Sequence, residues 1–304
     1  MREIVIRVLL IGCGDIALRT ASMLRGRARL YGLTRRADDV PKLRAHGIVP
    51  IVADLDDHAS LRRLAATPTI VLHFAPPPSD GRDDPRTRNL IAALARARII
   101  PQRLVYISTT GVYGDCAGAR IDETRARRVQ SPRARRRAAA EDRLRDWGAR
   151  QGIRVTILRA PGIYAESRLP LDRIRQGTPV LHADDDVYTN HIHADDLARA
   201  TVAAVFHGRA NRVYNVTDDA EMKMGSWFDT VADAYQLPRP PRVSWEEAEQ
   251  RIAPMLLSFM SESRRIDNAR MKKELRVRLA YPTPQALLTK VAPRALKKQL
   301  PLAL

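Results

Sequence analysis

The chain has 304 residues, 45% of them hydrophobic, which suits one large globular domain or a domain with an elaborated second lobe. Its apolar runs fall far short of the roughly 18 residues that a membrane helix needs, and Glu3 interrupts any leader-like stretch, so no membrane association and a cytoplasmic location are expected. A net charge of +18 raises nucleic-acid binding, but the densest basic run, Arg125 to Arg137, has no interleaved aromatic residue to stack bases, and specific nucleic-acid binding is not expected.

The first predicted strand, Ile4 to Ile11, feeds through Val8-Leu9-Leu10-Ile11 into Gly12-Cys13-Gly14-Asp15-Ile16-Ala17. In this strand-to-helix junction the first glycine permits a tight turn and the second lets a pyrophosphate approach the backbone. Ala17 is small enough for the helix to pack on the sheet. The free N–H groups of the helix Asp15 to Leu24 then face the anion. Further strands are predicted at Ala28 to Leu33, Ile48 to Val52, Thr69 to Phe74, Arg103 to Ser108 and Arg154 to Arg159. Helices fill the gaps at Val40 to His46, Ala59 to Ala66, Thr87 to Arg98 and Ala134 to Gln151. This alternation predicts an α/β fold, a Rossmann-type doubly wound parallel sheet.

After Arg159 the alternation loosens at Pro161-Gly162, Leu169-Pro170 and Gly177-Thr178-Pro179. Residues 1–160 are read as the dinucleotide-binding domain, with 190–217 returning to it through a helix from His193 to Phe206 and a strand from Arg212 to Val216. Residues 161–189 and 218–304 are read as a small, mainly helical substrate lobe. Asp195 and Asp196 precede the helix, where capping is the expected role for at least one of them. Cys13 and Cys116 have neither metal-ligand nor redox spacing and read as free thiols; His191 and His193 lack a third ligand in range, so no metal site is expected.

The cofactor is read from the second strand, which ends Leu33-Thr34-Arg35-Arg36 with no acid before Asp38. An acid there would bind a ribose 2′-hydroxyl, whereas an arginine accommodates a 2′-phosphate. Arg35 and Arg36 supply paired, charge-assisted donors, and Thr34 adds a hydroxyl, so NADP is expected over NAD. Asp54-Leu55 after the third strand and Phe74-Ala75 after the fourth hold positions that flank a dinucleotide, Asp54 as an acceptor for the adenine amine and Ala75 as a small residue beside its path.

These residues, together with Tyr106-Ile107-Ser108-Thr109-Thr110-Gly111-Val112-Tyr113-Gly114, Leu158-Arg159-Ala160-Pro161-Gly162-Ile163-Tyr164, His191-Ile192-His193-Ala194-Asp195-Asp196-Leu197-Ala198 and Val213-Tyr214-Asn215-Val216, resemble the extended short-chain dehydrogenase/reductases, the NAD-dependent epimerase/dehydratase group. The resemblance implies that Thr109 binds the substrate oxygen and stabilises charge appearing on it. It also implies that dimers form through the helices Thr87 to Arg98 and Ala134 to Gln151. The second helix is so basic that self-association is opposed by like charges, and monomer and homodimer stay open.

The family carries Tyr-x-x-x-Lys on the helix after the fifth strand, four apart so that both side chains share one face. Aligned on Ala138-Ala139-Ala140 and Glu141, Arg133 takes the tyrosine position and Arg137 the lysine position. Arginine stays protonated at neutral pH and donates no proton. Arg137 can still hold the nicotinamide ribose, and the acid must come from elsewhere, with Tyr113 first and Tyr164 and Tyr188 as further candidates. An NADP-dependent oxidoreductase or epimerase acting on a small-molecule substrate is one reading. A non-catalytic NADP-binding redox sensor or partner-binding module is the other.

Overall fold

Along the first strand Val8 and Leu10 enter one hydrophobic core while Leu9 and Ile11 enter a second, because successive side chains of a strand face opposite sides of its sheet. Both cores are seen in a computed structural model that describes residues 6–66, 69–97 and 99–299. Seven parallel strands lie between them: β1 (Arg7–Ile11), β2 (Arg29–Thr34), β3 (Ile48–Val52), β4 (Ile70–His73), β5 (Arg103–Thr109), β6 (Arg154–Ala160) and β7 (Arg212–Asn215). Their spatial order is β3-β2-β1-β4-β5-β6-β7. The Rossmann-type α/β sheet expected from the alternation is therefore present. Ile11 sits opposite Leu33 on one side and His73 on the other, so the strand order reverses at β1 and a crevice opens above its C-terminal end.

Helices α1 (Asp15–Leu24), α2 (Val40–Ala45) and α5 (Ala194–His207) cover one face through Ala21, Leu24, Leu43, Leu197 and Ala200. Helices α3 (Pro85–Ala95) and α4 (Pro132–Gln151) cover the other through Leu90, Leu94, Leu144 and Trp147. Both start earlier than their apolar pattern suggests. Asp84 accepts from the Thr87 N–H at 3.2 Å with Pro85 behind it, and Ser131 accepts from the Ala134 N–H at 3.2 Å with Pro132 behind it. Residues Ser60–Ala66, expected as an α-helix, wind as a 3₁₀ segment. Ile4, Val5 and Arg98, assigned above to a strand and a helix, lie outside the described residues.

The cap of α5 corrects one expectation. His193, not an aspartate, caps it: the Asp195 N–H donates to the His193 ring at 3.1 Å. Asp196 is buried and accepts from the Ala280 and Tyr281 N–H groups, both at 2.9 Å, which pins the C-terminal segment to the sheet domain.

A third core joins Trp227, Phe228 and Val231 of α6 (Met224–Ala234) to Leu287, Leu288 and Val291 of α7 (Pro284–Gln299). Short strand pairs hold this region over the C-terminal ends of the sheet. Gly162–Tyr164 runs parallel to His191–His193, Val180–Leu181 to Arg242–Val243, and Arg120–Ile121 to Arg265–Ile266. Among the described residues no helix is long and apolar enough to cross a membrane.

Candidate functional site

Two cavities open at the C-terminal ends of the strands. The first, about 450 Å³, is lined by Gly12, Cys13, Gly14, Thr34, Arg35, Arg36, Asp39, Asp54, Leu55, Ala75, Pro76 and Arg86, among others. Gly12 has φ +87°, and a Cβ there would lie 2.8 Å from the Ala75 nitrogen, so the chain crossing from β1 past β4 requires glycine. Gly14 is different: a Cβ added to it would meet nothing within 4 Å. The protein itself leaves space above Gly14, at the uncapped N-terminus of α1. That is the cradle a dinucleotide pyrophosphate fits. The Cys13 thiol donates to the Leu10 carbonyl at 3.8 Å, and burial with Asp39 nearby pushes it up to about 12, which makes it inert.

Some expected cofactor residues behave differently. The Thr34 hydroxyl is already engaged, donating to Asp39 at 3.0 Å and accepting from the Arg36 N–H at 3.2 Å; it shapes the turn rather than offering a free donor. Arg36 faces Asp39 at 3.9 Å, whereas exposed Arg35 makes no ion pair among the described residues. Ile16 and Phe74 pack against the first core and do not line the cavity. Asp15 lies in the first turn of α1, ion-paired with Arg19 at 2.7 Å and Arg168 at 3.1 Å. Arg168 also lines the second cavity and so bridges the glycine turn to it.

That second cavity, about 470 Å³, has Thr109, Thr110 and Gly111 at the end of β5, Arg133 at the start of α4, and Pro161, Gly162 and Ile163 after β6. Its far walls come from the C-terminal lobe, with Arg173, Tyr188, His191, Trp227, Phe228, Phe259 and Arg264. Thr109 accepts from the Gly111 N–H at 3.2 Å, which starts the turn that follows. Arg137, one helical turn after Arg133, donates to the Ile107 carbonyl at 2.9 Å and the Tyr106 hydroxyl at 3.1 Å. Burial, helped by the Arg137 charge reaching β4, holds the His73 imidazole down to about 3, hence neutral, while His73 pairs with the Thr87 hydroxyl at 3.0 Å. Arg133 stacks on Phe259 with its guanidinium carbon 4.1 Å from the ring centroid.

Tyr113, the first expected proton donor, is not at this cavity. It is fully buried, its hydroxyl donates to Asn215 at 2.8 Å, and Arg159 stacks on its ring at 4.8 Å. Burial raises it above the ordinary phenol range, so it is a structural tyrosine. Tyr164 lines the cavity with its ring, but its hydroxyl points to the Tyr281 carbonyl at 3.4 Å. Tyr188 is half-buried, lines the cavity, and has no hydrogen bond to its hydroxyl among the described residues.

Residues 17–217 match the NAD dependent epimerase/dehydratase family. The chain belongs to that family. Among curated proteins it is 31% identical over 166 residues to GDP-6-deoxy-D-mannose reductase of Pseudomonas aeruginosa, covering 50% of this chain and 54% of that one. The match to human dTDP-D-glucose 4,6-dehydratase covers 41% of the latter, so the chain spans about half the length of these curated relatives. Protein YeeZ of Escherichia coli K12 aligns along most of both chains, at 25% identity over 91% of this one and 97% of that one. A conserved protein of unknown function from Silicibacter pomeroyi is 30% identical, with a TM-score of 0.77, over 96% of this chain and 98% of its own.

The glycine turn, the fifth-strand Ser/Thr segment and the Arg133/Arg137 pair thus sit on a family scaffold. Sequence reasoning missed Asp39 and Arg86 in the first cavity and Arg173, Trp227, Phe228 and Phe259 in the second. Asp39 could have been found as an acid within reach of Thr34. Arg173, Trp227, Phe228 and Phe259 carried no motif, because they come from separate segments brought together at one cavity.

Proposed function

We propose that the chain is an NADP-dependent oxidoreductase or epimerase-like enzyme in which Arg133 and Arg137 stand where family members carry tyrosine and lysine. The open space above Gly14, in one cavity with Thr34-Arg35-Arg36, carries the reading. The Gly12–Gly14 turn and the α1 N-terminus would hold the pyrophosphate, and Arg35, free of an ion pair among the described residues, would hold the 2′-phosphate. Asp54 and Leu55 would flank the adenine, with Ala75 and Pro76 along the path toward β4.

The bound nicotinamide would supply or take the hydride. Thr109 would orient the substrate oxygen and stabilise its developing charge. Arg137, anchored on the Ile107 carbonyl, would keep the ribose end positive. The proton would come from Tyr188, the tyrosine of this cavity whose hydroxyl is uncommitted among the described residues, in place of Tyr113. General acid–base help of this kind contributes about a hundred- to ten-thousandfold.

The test is titration with both reduced dinucleotides. NADPH is expected to bind at least tenfold tighter than NADH, and Arg35→Ala to erase the difference. Equal affinities in the unaltered protein refute the NADP assignment, and tighter NADH binding transfers the ribose contact to Asp39. A second reading, a non-catalytic NADP-binding sensor or partner-binding module, is favoured by the hydroxyls of Tyr113 and Tyr164 being spent elsewhere. Single-turnover oxidation of bound NADPH by a panel of carbonyl compounds decides between them, since a sensor oxidises none.

A further inference from the structure

The second cavity contains two guanidinium groups with no acid of their own. Arg173 has its Nε and one terminal nitrogen buried without any hydrogen-bond partner. It stacks on Phe228 at 4.5 Å and takes part in no ion pair among the described residues. Buried donors are nearly always satisfied, so a cavity-lining guanidinium with two orphaned nitrogens calls for an acceptor that the protein does not provide. Arg133 is likewise without hydrogen bond or ion pair among the described residues. The acid whose charge it feels, Glu262, is bound to Arg264 at 2.7 Å, and Arg136, Arg137 and Arg264 add like charge around it. The remaining lining arginine, Arg168, is paired with Asp15.

The two free cations lie on different walls. Arg133 rises from the first turn of α4 beside Thr109, where hydride chemistry is placed above, and rests on Phe259. Arg173 belongs to the short helix Leu171–Arg175 of the C-terminal lobe and rests on Phe228. The lining they share includes apolar Ile163, Met224, Trp227 and Leu256, and its one carboxylate, Glu262, is the one neutralised by Arg264. A planar guanidinium stacked on an aromatic ring is pre-oriented for paired hydrogen bonds to a carboxylate.

We infer that this cavity takes a small 2-oxo or 2-hydroxy dicarboxylate, with Arg133 binding the carboxylate next to the reacting carbon and Arg173 binding the distal one. The inference rests on the oxidoreductase reading above. In the reducing direction a hydride passes from NADPH to the 2-oxo carbon and a proton is added to its oxygen, giving the 2-hydroxy acid and NADP⁺. The position that donates a proton elsewhere in the family here positions the substrate through its charge.

The experiment uses Trp227, which lines the cavity, as a fluorescence reporter, with 2-oxoglutarate, oxaloacetate and the unreactive tartronate as probes, UDP-glucose as the nucleotide control, and NADPH binding measured separately. Saturable quenching by the dicarboxylates is expected, weakened at least tenfold by Arg133→Ala and by Arg173→Ala, partly restored in Arg133→Lys, and unaffected in Lys42→Ala, an exposed position on α2 outside the cavity lining. Dicarboxylate affinity unchanged in both arginine variants overturns the inference. So does quenching by UDP-glucose with none by dicarboxylates. Either result with intact NADPH binding leaves the cofactor reading standing, whereas no NADPH binding by the unaltered protein, with dicarboxylate quenching still lost in both arginine variants, strikes the cofactor reading and the hydride step and leaves the dicarboxylate site.

Discussion

Gly12 and Gly14 are both glycine for different physical reasons, and the difference is measurable. At Gly12 an added Cβ meets the Ala75 backbone at 2.8 Å and the positive φ disfavours any L side chain, so Gly12→Ala should cost about 1–3 kcal/mol or more and lower the melting temperature. At Gly14 φ is −79° and the space is open, so Gly14→Ala should melt with the wild type yet bind NADPH at least tenfold more weakly. Calorimetry paired with a nucleotide titration separates the two. A Gly14→Ala protein that binds normally would remove the pyrophosphate from this cradle. The glycine turn was legible in the sequence because its chemistry is local. Tyr113 was misplaced because the side of a strand end on which a hydroxyl lies depends on its distant partner, here Asn215 on β7.

Helix α4 is positioned by a buried ionic knot that no local pattern announces. Glu141, fully buried, accepts from the Ser108 hydroxyl of β5 and from Arg159 of β6, the latter at 3.1 and 2.7 Å, so one carboxylate ties the helix to two strands. This knot sets where Arg133 and Arg137 point, two turns and one turn earlier on the same helix. Glu141→Ala leaves the Arg159 charge buried and uncompensated and should destabilise the fold by about 3–5 kcal/mol in urea unfolding. Replacing both partners, as Glu141→Leu with Arg159→Met, should cost less than the single change, and a double variant at least as unstable as Glu141→Ala would contradict this account. The elements of the sheet were readable from apolar alternation and turn residues. Their starts were misjudged where Asp84-Pro85 and Ser131-Pro132 cap a helix ahead of its apolar stripe, and Ser60–Ala66 tightened to 3₁₀ although its composition suits an α-helix.

At the scale of the whole molecule, the parallel, doubly wound sheet followed from the βα alternation, but the placement of the C-terminal region did not. It is set by short strand pairs and by Asp196 binding the Ala280 and Tyr281 backbone, contacts between residues distant in sequence that leave no periodic trace. Burial within the molecule also sets the titration of three groups that shape stability. His73 and His191 are held to about 3 and about 4, chiefly by burial, while burial raises the Asp218 carboxyl to about 8. For the histidines the unfolded chain takes up protons first, so their contribution is lost as pH falls below about 6.5. For Asp218 the folded protein keeps a proton that the unfolded chain releases, so its contribution declines as pH rises from about 4 and is fully lost above about 8. Between pH 4 and 6.5 the two histidines outweigh the one aspartate, and above 6.5 Asp218 acts alone among the three. Their combined contribution therefore peaks near pH 6.5. Urea midpoints at pH 5, 6.5 and 8 should show Asp218→Asn flattening the alkaline fall and steepening the acid one, and His191→Asn shrinking the acid fall while leaving the alkaline limb unchanged. An alkaline limb identical in Asp218→Asn and wild type would show that Asp218 is ionised in the folded protein.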